Sequence, residues 1–94
     1  MAFHGRVALV TGGGSGMGRI FARRMADGGA QVAIVDVNET GLQETKEGRP
    51  NLHVHRCDVT DDARVNEVVA AVTKEHGPID RVVHAAGIMP ASPL

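Results

Sequence analysis

Val7-Ala8-Leu9-Val10-Thr11-Gly12-Gly13-Gly14-Ser15-Gly16-Met17-Gly18 decides how this 94-residue chain is read. Val7 to Val10 is a continuous apolar run, the pattern of a strand buried on both faces. The glycines follow at once, and beyond them the period changes. From about Ser15 to Asp27, the residues Met17, Ile20, Phe21 and Met25 recur at helical spacing, which puts Arg19, Arg23 and Asp27 on the wet side. Gly28-Gly29 stops that helix. A helix N-terminus offers free N–H groups and a partial positive charge, worth roughly 0.3–1 kcal/mol for a facing anion. Glycines let such an anion come close. Mere flexibility is the other reading of the cluster, and the order strand, glycines, helix argues against it.

Outward from the turn the alternation continues. Val32-Ala33-Ile34-Val35 is a second buried strand, ending at Asp36. A helix over Glu39 to Glu47 follows, capped by Asn38 and weakened by Gly41. Leu52 to Cys57 reads as a third strand, half exposed at an edge because polar residues flank Val54. A third helix starts at Thr60 or Asp61, carries Val65, Val68, Val69 and Val72 inward, and ends at Gly77-Pro78. Ile79 to His84 is a fourth strand, and Ala85-Ala86-Gly87 opens a loop. The pattern β-α-β-α-β-α-β implies a doubly wound α/β fold of Rossmann type. Its parallel sheet would have right-handed crossovers and strand order 3-2-1-4.

Asp36 is the second mark of function. A carboxylate at the end of the second strand can accept hydrogen bonds from the ribose hydroxyls of an adenosine, and it repels a 2′-phosphate. One charge pair at about 4 Å is worth roughly 1 kcal/mol in water and about 4 near a protein surface. No basic residue stands at Ser15 or Val37 to relieve that repulsion, so NAD is expected over NADP. An ordinary loop-starting carboxylate is the alternative.

Composition closes off other classes. A net charge of −1 gives no basic field for nucleic acid, and with two Phe, no Tyr and no Trp there are few platforms for stacking bases. Cys57 is the sole cysteine, so no internal disulfide forms and a reducing compartment is allowed. No apolar leader precedes Val7 and no run approaches the roughly 18 apolar residues of a membrane helix, so a cytoplasmic protein is expected. His53 and His55 share one side of a strand, but two ligands are too few for a typical zinc site. Cys57 is expected to be a buried, inert thiol. Arg19, Arg23 and Arg24 read as a solvated helix face, with an approach of Arg19 to a phosphate as the other option.

Thr11 to Gly18, as Thr-Gly-x-x-x-Gly-x-Gly, resembles the fingerprint of the short-chain dehydrogenase/reductase family. Asp36 matches that family's NAD-selecting position. Cys57-Asp58-Val59-Thr60 looks like the segment after the third strand, where an Asp side chain meets the adenine amino group and the next N–H meets the ring. His84-Ala85-Ala86-Gly87 lies where the family usually has Asn-Asn-Ala-Gly. The resemblance thus implies a cofactor site built from Gly12, Gly14, Ser15, Gly16, Met17, Gly18, Asp36, Val37, Asp58, Val59, Ala85, Ala86 and Gly87. It also implies hydride transfer between nicotinamide and a small alcohol or carbonyl substrate, and a homo-oligomer in full-length form.

Two departures stand out. His84 and Ala85 replace two asparagines, one of which ties neighbouring strands; His84 can partly stand in as a hydrogen-bond donor. The family's catalytic Ser, Tyr and Lys have no counterpart here, for the chain has no tyrosine and Ser92 comes too early. Family members run to roughly 250 residues. Residues 1–94 therefore read as a truncated cofactor-binding half, without the rest of the fold and its active site. With the fourth strand left as an apolar edge, the chain alone is expected to be poorly stable or to associate. A non-catalytic NAD-binding module is the main alternative. A methyltransferase is the lesser one, because Gly12-x-Gly14-x-Gly16 also suits S-adenosylmethionine while the loop after the fourth strand does not.

Overall fold

The computed structural model describes residues 5–14 and 16–85. Seven elements follow one another: β1 (Val7–Thr11), α1 (Gly16–Asp27), β2 (Gln31–Asp36), α2 (Glu39–Lys46), β3 (Leu52–Arg56), α3 (Asp62–His76) and β4 (Arg81–His84). The strands form one four-stranded sheet in the order β3-β2-β1-β4. All three pairings are parallel, with Thr11 opposite Val35 on one side and His84 on the other. This is the doubly wound arrangement that the alternating pattern requires.

The period of two along the strands sorts the core into two layers. Ala8, Val10, Val32 and Ile34 face α1 and α2, where Ala22, Met25 and Leu42 meet them. Val7, Leu9, Ala33 and Val35 face α3 and pack on Val68 and Val72. Val65 and Val69 are only partly buried.

The caps follow their residue types. The Asn38 side chain accepts from Gly41 N and the Asp61 side chain from Arg64 N, fixing the starts of α2 and α3. At the foot of the sheet, Asp80 accepts from Val7 N at 2.9 Å and its own N–H donates to Val7 O at 2.8 Å. Those bonds join the approach to β4 onto β1, and the strand begins at Arg81 rather than at Ile79.

The inward stripe of α1 differs from the expected one. Met17 and Ile20 are half exposed, at 49% and 50%, whereas Gly18, Ala22, Met25 and Ala26 are buried. Small residues let the helix lie close on the sheet, and the larger Met17 and Ile20 fall outside the contact. The expected wet face is also revised. Arg23 donates to Glu44 O and Thr45 O, and Arg19 is likewise bound to α2, so these side chains tie two helices together. His53 is half-buried: its ring packs on His76 at 4.2 Å between centroids and lies 2.7 Å from Gln31 Oε1.

Candidate functional site

The residues singled out in the sequence gather at the C-terminal ends of the strands, where open α/β sheets bind ligands. Gly12 and Gly14 connect β1 to α1, and Gly16, Met17 and Gly18 form the first turn of α1; Asp36 ends β2 and Val37 follows it; Asp58 and Val59 follow β3; Ala85 follows β4. Ser15, Ala86 and Gly87 lie outside the described residues.

The glycine turn is held by its own backbone. Gly12 N and Gly13 N both donate to Val35 O, at 2.7 and 3.1 Å. Gly12 and Gly16 take φ of +73° and +56°, a region that side chains rarely tolerate. At Gly18 a Cβ would overlap Gly12 O and lie 3.2 Å from Ala85 Cβ, so the third glycine of the fingerprint sets the closeness of α1 to both β1 and β4. At Gly16, by contrast, a Cβ would meet nothing within 4 Å among the described residues. None of those residues therefore crowds that side of the first turn of α1, whose N–H groups have no partner within the helix. That combination suits a pyrophosphate.

Asp36 is already positioned. Its Oδ2 accepts from Gly14 N at 3.0 Å and its Oδ1 from Asn38 N at 3.2 Å. The carboxylate therefore sits against the turn itself, and a Cβ on Gly14 would come within 2.8 Å of it. Val37 is exposed beside it. Across the sheet, Asp58 Oδ1 accepts from Thr60 N at 2.9 Å and Thr60 Oγ1 at 2.7 Å. These bonds hold the Asp58 carboxyl below the usual carboxylate range, so it remains an ionised acceptor.

Between α3 and the ends of β1, β2 and β4 lies a cavity of about 210 Å³, lined by Leu9, Val35, Val59, Val68, Cys57 and His84 among others. Its walls are mostly apolar, and Val59, one of its lining residues, is 41% exposed. Cys57 is buried there, and burial pushes its thiol above its ordinary value. This fits the inert role read from the sequence. His84 Nδ1 lies 3.5 Å from Thr11 Oγ1, so it links β4 to β1 where an asparagine was expected in the family.

Sequence reasoning missed the far wall of the turn. Gly41, read as a weakness in its helix, is the point where α2 meets the turn: a Cβ there would overlap Gly14 O. Thr45 and Arg19 also contact the turn's carbonyl groups. Thr45 stands three residues after Leu42 and both are fully buried in α2, but its partner in the turn lies 32 residues away in sequence, so no local signal marked it.

Comparison with known proteins agrees with this geometry. Levodione reductase of Leifsonia aquatica is 44% identical over 92 residues, an alignment covering 92% of this chain and 34% of that protein. The solved glucose dehydrogenase of Caenorhabditis elegans superposes with a TM-score of 0.82 at 29% identity, covering 87% of this chain and 38% of the other. An actinorhodin polyketide ketoreductase solved with NADPH superposes at 0.78 with 35% identity, over 84% of this chain and 32% of its own. The chain thus spans about a third of the length of the relatives it matches. The short chain dehydrogenase profile matches residues 6–94. Fingerprint, strand order and profile agree, and this chain belongs to the short-chain dehydrogenase family.

Proposed function

We propose that residues 1–94 form the cofactor-binding half of an NAD(H)-dependent dehydrogenase or reductase acting on a small alcohol or carbonyl compound. The position of Asp36 carries the choice of cofactor. Its carboxylate is fixed against Gly14 N at the end of β2, where the ribose 2′-hydroxyl of an adenosine would lie. The relative solved with NADPH holds the 2′-phosphorylated cofactor on a similar fold, so the preference for NAD proposed here rests on this side chain. The pyrophosphate would lie before Gly16, Met17 and Gly18, with Gly12, Gly14 and Ser15 shaping the turn. Asp36 and Val37 would take the ribose, and Asp58 and Val59 the adenine. Ala85, Ala86 and Gly87 would flank the nicotinamide side.

The nicotinamide, when bound, exchanges a hydride with the substrate carbon. The residues of this chain bind and orient the cofactor. The Ser, Tyr and Lys of the family's reaction are expected outside these residues, in a cytoplasmic and homo-oligomeric full-length enzyme. Titrating the chain with NAD, NADP and S-adenosylmethionine tests the reading. NAD is expected to bind at least about tenfold more tightly than NADP, a difference of about 1.4 kcal/mol, and S-adenosylmethionine not to compete. Tighter binding of NADP overturns the assignment of Asp36, and tighter binding of S-adenosylmethionine overturns the class.

A further inference from the structure

The carbonyl groups of the glycine turn are as firmly held as its N–H groups. Thr45, buried in α2, places its hydroxyl 2.7 Å from Gly13 O. The same oxygen accepts from Arg19 Nε at 2.9 Å, and its single hydrogen has two carbonyl acceptors in reach, Gly41 O at 3.0 Å and the nearer Gly13 O. Arg19 Nη2 donates to Gly14 O at 2.7 Å. It also lies 3.1 Å from Glu44 Oε1 and 3.2 Å from Gly41 O. Two successive carbonyl oxygens of the turn are thus drawn toward α2 by one guanidinium and one hydroxyl.

A trans peptide carries its N–H opposite its carbonyl oxygen. Holding the oxygen of Gly13 on the α2 side fixes the plane of the Gly13–Gly14 peptide and leaves its N–H, that of Gly14, to reach Asp36. The contacts also draw the partial negative charge of the two oxygens onto a cation and a hydroxyl, away from an approaching anion. Arg19 Nε and Nη2 are directed at protein oxygens of α2 and the turn, and the Glu44 carboxylate at 3.1 Å offsets part of the guanidinium charge.

We propose that Arg19 and Thr45 are positioning residues, a clamp from α1 and α2 that sets the glycine turn for the cofactor's pyrophosphate without touching it. This rests on the cofactor reading above. Gly41 belongs to the same device, because only a residue without Cβ lets α2 come this close to Gly14 O.

The test measures binding of NAD and, separately, of adenosine, which has the base and ribose but no phosphate. The chain is compared with Thr45→Val, Thr45→Ser and Arg19→Gln. Thr45→Val and Arg19→Gln are expected to weaken NAD about tenfold. Thr45→Ser, which keeps the hydroxyl, should stay within about twofold. Adenosine affinity, which also reports an intact fold, should fall by less than about twofold in all three, since only the Gly14 N–H bond to Asp36 links the clamp to the ribose. The dependence of NAD affinity on ionic strength should be the same in Arg19→Gln as in the unaltered chain, since the guanidinium does not meet the phosphates. Full NAD affinity in Thr45→Val, equal losses of NAD and adenosine, or a flattened salt dependence in Arg19→Gln overturns the clamp alone. An unaltered chain that binds neither compound overturns the cofactor reading and the clamp together.

Discussion

On the α1–α2 face of the sheet the core layer is fuller: Ile34, Leu42 and Leu52 are fully buried and Phe21, Val54 and Val83 partly so, with a cavity of about 240 Å³ beside Ala8, Met25 and Ala30. On the α3 face the layer is thinner and more open. Val68 and Val72 are buried, but Val65, Val69 and Ile79 remain partly exposed, a cavity lies beside Val59, and Val82 of β4 is 47% exposed. The two faces also differ in what they support. The fuller one backs the glycine turn and Asp36, the groups proposed for the pyrophosphate and ribose. The open one backs Asp58, Val59 and His84, the groups proposed for the adenine and the β4 edge. The larger buried layer thus lies behind the backbone donors proposed for the anion.

Truncation mutants should expose that difference most strongly. Leu42→Ala removes a side chain with no accessible surface and is expected to cost about 3 kcal/mol of stability. Val82→Thr on the exposed strand should change stability by less than about 0.5 kcal/mol. Equal losses in chemical denaturation would show that the two faces are equally packed. A chain that melts as one cooperative, monodisperse monomer at high concentration would show that the exposed β4 edge does not drive association.

Next in size is Gly41→Ala. Its methyl group would press on Gly14 O, with an expected cost of about 1–3 kcal/mol together with weaker NAD binding. An alanine that stabilises α2 by its better helix propensity, with NAD affinity intact, would show that the turn can move aside.

Asp36→Asn sharpens the comparison at the site itself. The amide oxygen can still accept from Gly14 N, but the charge is gone. The ratio of NAD to NADP affinity is expected to fall at least about tenfold. An unchanged ratio would place cofactor choice elsewhere.

The smallest effect belongs to the open face. His53 and His55 both titrate below the ordinary imidazole value of 6.5, because burial disfavours the imidazolium. Around His53, His76, Lys46 and His55 act in the same direction and Glu75 opposes them. Arg64 is the main charged neighbour that lowers His55. A lowered folded pKa leaves the stabilisation complete above about pH 6.5, and it is lost as the pH falls through the folded values. The melting temperature should therefore hold level at neutral pH and decline by a few degrees toward about pH 5. His53→Gln should flatten the decline.

The strand order and the layering were legible because short apolar runs, Val7 to Val10 and Val32 to Val35, have only one comfortable place in a doubly wound sheet. The cap Asn38 was legible because its signal is local, whereas the start of α3 was open between Thr60 and Asp61, of which Asp61 is the cap. What escaped was set by partners distant in sequence. Arg19 falls on the wet side of α1 by period, yet α2 supplies its acceptors. Met17 and Ile20 fit an apolar stripe, yet Gly18 and Ala22 make the actual contact because closeness favours the smaller residues. Gly41 looked like a fault in a helix and is a point of contact.

In the proposed reading one surface, at the C-terminal ends of the strands, holds NAD through the glycine turn and Asp36. Amide chemical-shift mapping during an NAD titration decides whether it does. Saturable shifts are expected at Gly12–Gly14, Gly16–Gly18, Asp36–Val37 and Asp58–Val59, with smaller shifts for NADP at the same concentration. Shifts confined to other surfaces, such as the exposed side of α2 around Gln43 and Glu47, or no shifts at saturating NAD, would contradict it.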